Sequence, residues 1–533
     1  MSSMTATAPL TASALRRDRI VIPVWVYALA GTAIGTAYSF KHLYPTAADR
    51  LSFAEGVQTN AALLALTGRL YGTSLGGLVA WRLLGLGSAI VGLMSVLLIV
   101  RHTRADEEAE RLELLRSAVV GRQAPLASAL FTAFAANAAI AGVAALGLVA
   151  FGLPLTGSLL FGLAWFSAGI TFAALAAVTA QLAETSRAAN SMALSALAVA
   201  FLLRALGDAS SPTGPRWLSW LSPIGWAQHT EPFGGQHWAV LLLPAGLTAA
   251  GVACAVAIQE RRDLGAGAIA VRPGPVSAAG LLTGPFGLAW RLQRTALVGW
   301  SAGMALLGVT SGSIASSVGD LVGDSAASRT FIAQLGGPGS LVDAYLATIA
   351  GSVGLIVSGY AVSAAALLRK EESAGHAEIL LAAPVSRLRW TASHASFALG
   401  GSAVLLAVAG LGVGVGYGLS THDVSGQLLR LTGAVLVQLP AVWVVTGAAV
   451  ALFAFVPRLT SAPWTVVGGC LLLGELGPTL RFPQWVLDVS PFSHVPKLPG
   501  ADAAPLPLGI LAGVAVVLLA AGAVRIRGRD LQG

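Results

Sequence analysis

The feature that most constrains this chain is a succession of apolar runs, each about as long as a bilayer is thick. Ile20–Phe40, Gly76–Val100, Ala124–Phe151, Ser158–Leu182, Ala188–Leu206 and Trp238–Ile258 come first. Thr295–Ile314, Ala344–Leu368, Thr391–Leu419, Leu428–Phe455, the run opening at Pro463–Leu476, and Pro505–Val524 follow. A helix needs about 20 residues to cross the hydrocarbon core. In lipid every backbone N–H and C=O must be paired within the segment, which helices achieve by themselves. The runs therefore predict an all-α polytopic membrane protein with about twelve transmembrane helices. Only 11% of the residues are charged and mean hydropathy is +0.76, against about 25% charged in soluble chains. The net charge of +8 would suggest nucleic acid in a soluble protein. Here it reads as the arginine bias that orients helices, and no nucleic-acid partner is expected.

Between the second and third runs stands a charged, helix-favouring insert, Arg104–Arg122, RADEEAERLELLRSAVVGR. It returns without a gap 265 positions later as Arg369–Arg387, RKEESAGHAEILLAAPVSR. Arg104 meets Arg369, Asp106 meets Glu371, Glu107 meets Glu372, Glu113 meets Glu378 and Arg122 meets Arg387. In the first copy Asp106, Glu110 and Glu113 share one helical face, and Leu112, Leu115 and Val119 form an apolar stripe. Glu107 and Arg111 add an i, i+4 pair worth about 0.2–0.5 kcal/mol. A single such helix is an ordinary solvated loop. Two at equivalent places point to a duplicated transporter with two docking points.

A second echo supports the duplication. PRWLSWLSPIGWAQ in the loop 207–237 is matched by PQWVLDVSPFSHVP in the loop 478–500, now at an offset of 268. Trp217 pairs with Trp485 and Pro223 with Pro491. Trp217, Trp220 and Ile224 recur at i, i+3, i+7. Such aromatics favour the membrane–water boundary, while Pro223 limits any helix there. Residues 1–258 thus form a first six-helix half, 259–294 an arginine-, glycine- and proline-rich cytoplasmic linker, and 295–533 a second half. An even number of spans per half makes the repeat parallel. Arg16, Arg17 and Arg19 before the first run, and Arg525, Arg527 and Arg529 after the last, place both termini in the cytosol of a cell-membrane protein. The first run continues well past Ala28-Leu29-Ala30, so it is read as an uncleaved helix and not a signal peptide.

Other motifs have plainer explanations. A phosphate-cradling loop ends Gly-Lys-Ser/Thr, but Lys41, Lys370 and Lys497, the three lysines, follow Phe40, Arg369 and Pro496. Any ATP-driven work must come from a partner, and no cofactor is expected. Gly299-Trp300-Ser301-Ala302-Gly303 fits a hydrolase pattern but lies inside an apolar run, where glycines serve close helix packing. Gly410, Gly414 and Gly418 have the same packing spacing. Gly265–Ala270 resembles a relaxed dinucleotide fingerprint without its strand and reads as flexible linker. No His, Asp, Glu or Cys cluster suggests a metal, and Cys254 and Cys470 read as buried, inert thiols. His229, Glu231 and His494 are expected as solvated loop residues. Arg82 sits where it can snorkel to the outer surface. Glu475, deep in an apolar run, is a boundary residue or an intramembrane proton or substrate site.

Six spans, a charged insert after the second and an aromatic loop between the fifth and sixth resemble the ABC-2 type exporter permeases. Glu371-Glu372, Gly375, Glu378, Ile379-Leu380-Leu381 and Pro384–Arg387 look like that family's cytoplasmic signature. More narrowly, RHTRADEEAERLELLRSAVVGR is similar to the duplicated actinobacterial tetronasin or polyketide-antibiotic exporters. The first copy departs from the signature, with Val119 where Pro384 stands and Arg111 where His376 stands. The resemblance implies that the inserts are coupling helices, docking a separate ATP-binding subunit, a homodimer, through Asp106, Glu107, Glu110, Glu113, Leu115, Arg122, Glu371, Glu372, Glu378, Leu380 and Arg387. Trp217, Trp220, Pro223, Trp485 and Pro491 would belong to an outer gate. The two halves would enclose one path for a hydrophobic or amphiphilic small molecule moving outward among membrane lipid. Two alternatives stay open: an ion-coupled secondary transporter with twelve helices, and a membrane transferase.

Overall fold

The computed structural model describes residues 2–59, 61–109, 119–210, 214–263, 265–269, 276–277, 280, 284–316, 340–456, 462–471, 473–474, 483–502 and 504–529. Regular structure among them is entirely helical, and eleven helices are long and apolar enough to cross a membrane. The protein is an all-α polytopic membrane protein. Its chain divides into two compact units, Met1–Gly274 and Pro275–Gly533.

Unit 1 opens with a short helix α1 (Thr7–Arg17) and the first span α2 (Val21–Leu43). Two short helices, α3 (Ala47–Thr59) and α4 (Ala61–Thr67), lead to the second span α5 (Leu75–His102), which a break at Thr103 separates from α6 (Arg104–Glu108). Then come α7 (Ala124–Ala150), α8 (Leu155–Leu182), α9 (Ser186–Ala209), the short α10 (Pro223–His229) and α11 (Leu242–Arg261). Ser74 and Thr185 cap α5 and α9 by accepting from the N–H of Gly77 and Ala188. Over their most apolar stretches α5 is 78% and α8 72% buried, against 22% for α2 and 17% for α11. The second and fourth spans are therefore the centre of this bundle, and α2 and α11 are its rim. Small residues allow the close approach: a Cβ on Gly162 would lie 2.6 Å from the Ala141 carbonyl oxygen.

Unit 2 contains α12 (Pro285–Ala315), α13 (Leu341–Ser373), α14 (His376–Ala382), α15 (Arg387–Thr421), α16 (Val424–Leu436) and α17 (Leu439–Phe455). These are followed by α18 (Ala462–Leu471), α19 (Gln484–Leu487) and the last span α20 (Pro505–Gly528). Glycine rows set the packing of α15 on both sides. Gly412 and Gly416 face α12, where a Cβ on Gly416 would stand 2.2 Å from the Val309 oxygen. Gly410, Gly414 and Gly418 face α16, with Cα atoms of Thr432, Leu428 and Val424 2.6–2.8 Å from the Cβ positions. That row does what its spacing predicts.

Several expectations change. Gly299 and Gly303 pack on nothing, since a Cβ on either meets no atom within 4 Å. The glycines of α12 that touch a neighbour are Gly308 and Gly312, two turns further on. α12 also begins at Pro285, ten residues before the run read from the sequence. The run Leu428–Phe455 is broken at Val437-Gln438, because Pro440 offers no N–H to the Leu436 carbonyl. Cys470 is buried, but Cys254 is exposed on the rim helix α11. Residues 265–269 are not a free linker: Ala268 and Ile269 donate backbone hydrogen bonds to Gln181 and Leu182. Arg82 is exposed near the start of α5. Glu475 lies outside the described residues.

Candidate functional site: a charged knot in each unit

Neither insert is one continuous helix. In unit 2 the α13 span runs on through Arg369, Glu371 and Glu372 to Ser373. Gly375, at φ +74°, then turns the chain in the left-handed region open to glycine. α14 follows, and Ser386 caps α15. In unit 1 α6 carries Arg104 to Glu108. Glu110, Glu113 and Leu115 lie outside the described residues.

The structure ties each insert to the end of the last span of its own unit. In unit 1 Glu107 accepts two hydrogen bonds from Arg262, at 2.9 and 2.8 Å, and a third from the Gly265 N–H at 2.8 Å. Arg104 stands 3.3 Å from the same carboxylate and donates to the Ala180 carbonyl at 3.1 Å. Arg122 donates to the carbonyls of Gln259, Glu260 and Arg262 at 2.9–3.1 Å. These oxygens belong to the C-terminal end of α11, where carbonyls have no helical partner and favour a cation.

Unit 2 repeats the arrangement. Glu372 pairs with Arg529 at 2.7 and 2.5 Å, and Arg369 stands 3.8 Å from the same carboxylate. Arg529 donates to the Phe453 carbonyl at 2.8 Å and lies over that ring. Arg387 donates to the carbonyl of Arg529. Glu372 and Arg529 are 3% and 7% exposed, so their charges are carried by each other. Sequence reasoning named Glu107, Glu372, Arg122 and Arg387 but missed Arg262 and Arg529 as their partners. The signal was present: these two arginines are 267 positions apart, between the two repeat offsets.

The copies differ in what covers them. Asp106 is gripped by Arg17 of α1 at 2.8 Å through both oxygens. The backbone of Ser3 and Thr5 accepts from Gln123 and Gly121, so the N-terminal segment lies on the first insert. Asp18 and His102 join through a 2.5 Å contact, and Arg101 stands 3.1 Å from Asp18. The equivalent Glu371 has His376 at 3.3 Å. On α14, Leu380 packs against the unit's own Leu368, Trp390 and Phe453, while Ile379 is 74% exposed. Glu378, Ala382, Ala383 and Pro384 are exposed beside it.

The loop residues lie at the opposite end of unit 1. Ser222 and Pro223 start α10, so Ile224 is buried while Trp217 and Trp220 remain outside; the three do not share a face. His229 is not solvated. Trp220 stacks on it at 4.2 Å, and Ser219 and Tyr71 hold its two nitrogens at 2.9 and 3.2 Å. Ser219 gives its proton to the Arg216 carbonyl, so it accepts from Nε2–H and Nδ1 accepts from Tyr71. Burial, helped by Arg69 and His237, pushes the His229 pKa down to about 4. In unit 2 Trp485 is exposed on α19 and Pro491 opens a single 3₁₀ turn.

Residues 282–527 match a family described as the multidrug efflux system permease Rv1217c, C-terminal domain. A relative, the multidrug efflux system permease protein Rv1217c of Mycobacterium tuberculosis (strain ATCC 25618 / H37Rv), is 40% identical over 533 residues. The match covers 100% of this chain and 96% of the relative. The chain belongs to this family of efflux permeases. In the permease the matched region takes in the whole knot of unit 2 apart from Arg529, and the relative's similarity extends over both knots.

Proposed function

We propose that the permease is the membrane component of an ATP-driven exporter of the tetronasin or polyketide-antibiotic type, carrying a hydrophobic or amphiphilic compound out of the cell. Energy enters through separate ATP-binding subunits, a homodimer, which dock on the inserts. The observation that carries this reading is the repeated knot. A docking element transmits force only if it is fixed to the spans, and each insert is bolted to the second and last spans of its unit by the same set of three arginines and one glutamate. Those buried glutamates hold the insert, while the exposed side of α14 is what a partner meets. Exposed ion pairs contribute only about 0–1 kcal/mol each, so Ile379 is the main contact and Glu378 sets orientation.

Ile379→Asp should abolish co-purification with the ATP-binding subunit and stop efflux, with the thermal midpoint of the permease unchanged. Leu380→Asp should instead lower the midpoint, because that side chain fills the unit's own core. Retained ATPase binding and efflux in a folded Ile379→Asp protein would falsify the docking assignment.

One observation favours an ion-coupled reading. Within α9, Arg204 and Asp208 are buried 3.6 Å apart, and ionisable pairs inside spans mark ion pathways in coupled transporters. Efflux from ATP-depleted, proton-energised vesicles, lost in Asp208→Asn, would favour it over the ATP-driven mechanism.

A further inference from the structure

Unit 2 has a half-open chamber of about 420 Å³ between α13, the break joining α16 to α17, and the segment 484–497. That volume is within the 300–1,000 Å³ of small-molecule sites.

Three features of its wall select a ligand. The apolar part is made by Ala347, Leu355 and Phe492. Gln438 sits where the span is broken, a place at which interrupted membrane helices form binding sites. It is 6% exposed, and its Oε1 has no hydrogen-bond partner. A buried acceptor left unpaired costs about 1–3 kcal/mol, so it favours a guest that brings a hydroxyl or N–H. Lys497, one of three lysines in the chain, lines the same chamber. Its side chain is exposed and places a cation at the chamber wall, which attracts an anion.

We propose that this chamber binds amphiphilic organic anions, with the hydrocarbon body along Ala347, Leu355 and Phe492, a hydrogen-bond donor on Gln438 and the acidic head at Lys497. The site does not depend on how the permease is powered, so it is tested without an ATP-binding subunit.

The full permease is placed in nanodiscs of phosphatidylcholine and irradiated with a diazirine-bearing hydroxylated palmitic acid, or with its methyl ester. Labelled peptides are mapped by mass spectrometry. The acid should label residues 347–355 and 484–497 at least ten-fold more than the ester does, and unlabelled hydroxypalmitic acid should compete. Gly351→Phe puts a ring into the chamber from a position where a Cβ meets nothing within 4 Å. It should remove the labelling, and Gly351→Leu serves if the larger side chain fails to fold. Lys497→Gln should bring acid and ester to equal yield. Equal labelling by acid and ester in the unaltered permease, or labelling indifferent to the filled chamber, overturns the proposal; a chamber that holds only water gives that result.

Discussion

At the scale of single residues the knots are the most sensitive points. Breaking a buried ion pair by neutralising one partner leaves the other charge buried, at a cost of about 3–5 kcal/mol. Arg529→Leu should therefore lower the thermal midpoint of the detergent-solubilised permease sharply. The double variant with Glu372→Gln should recover much of the loss, because no charge is then stranded. His229 predicts a pH effect. Its folded pKa, about 4, lies below the 6.5 of a free imidazole, so the folded state holds fewer protons than the unfolded one. The stability it supports is present above pH 6.5 and falls as pH drops from there toward 4, by about 3 kcal/mol. The fluorescence of Trp220, stacked on the ring, should report the loosening, and His229→Gln should flatten the acid limb. Nothing in the local sequence announces either site. Glu372 and Arg529 are 157 positions apart, and His229 reads as a loop histidine until Trp220 and Tyr71 are seen to enclose it.

At the scale of elements, spacing shows that glycines line one side of a helix but not what that side meets. The four-residue spacing of Gly410, Gly414 and Gly418 does mark a contact, whereas the same spacing at Gly299 and Gly303 faces open space. Gly416→Leu should drive a side chain into the α12 backbone and destabilise unit 2 by about 1–3 kcal/mol or more. Gly303→Leu should be tolerated, and denaturation of the two variants side by side checks both. The spans were legible because length and hydropathy fix them. Their ends were less so, since charged residues can continue a helix: α13 absorbs the start of the second insert and only Gly375 stops it. The break at Gln438 needed Pro440 to be given weight inside an otherwise apolar run.

At the scale of the whole molecule, each unit has its own interior. Unit 1 closes around Phe161, Trp165 and Ile140, and unit 2 around Tyr360, Leu405 and Val442. Residues 1–274 and 275–533, produced separately, should each insert and retain a protease-resistant helical core by circular dichroism and digestion. The duplication was legible from the returning insert and the matching aromatic loop. The chamber of unit 2 was not, because an unfilled volume leaves no mark on a string of residues.

The knots also impose an order on synthesis. A ribosome that has just made Glu107 must add 155 further residues before Arg262 exists, and Glu372 must wait 157 for Arg529. Through that interval the nascent chain holds a carboxylate whose main counter-ion has not yet been translated. Insertion of the final helix of each unit is then the event that locks the insert, and a prematurely ended chain exposes an unmet charge to the cell's membrane proteases.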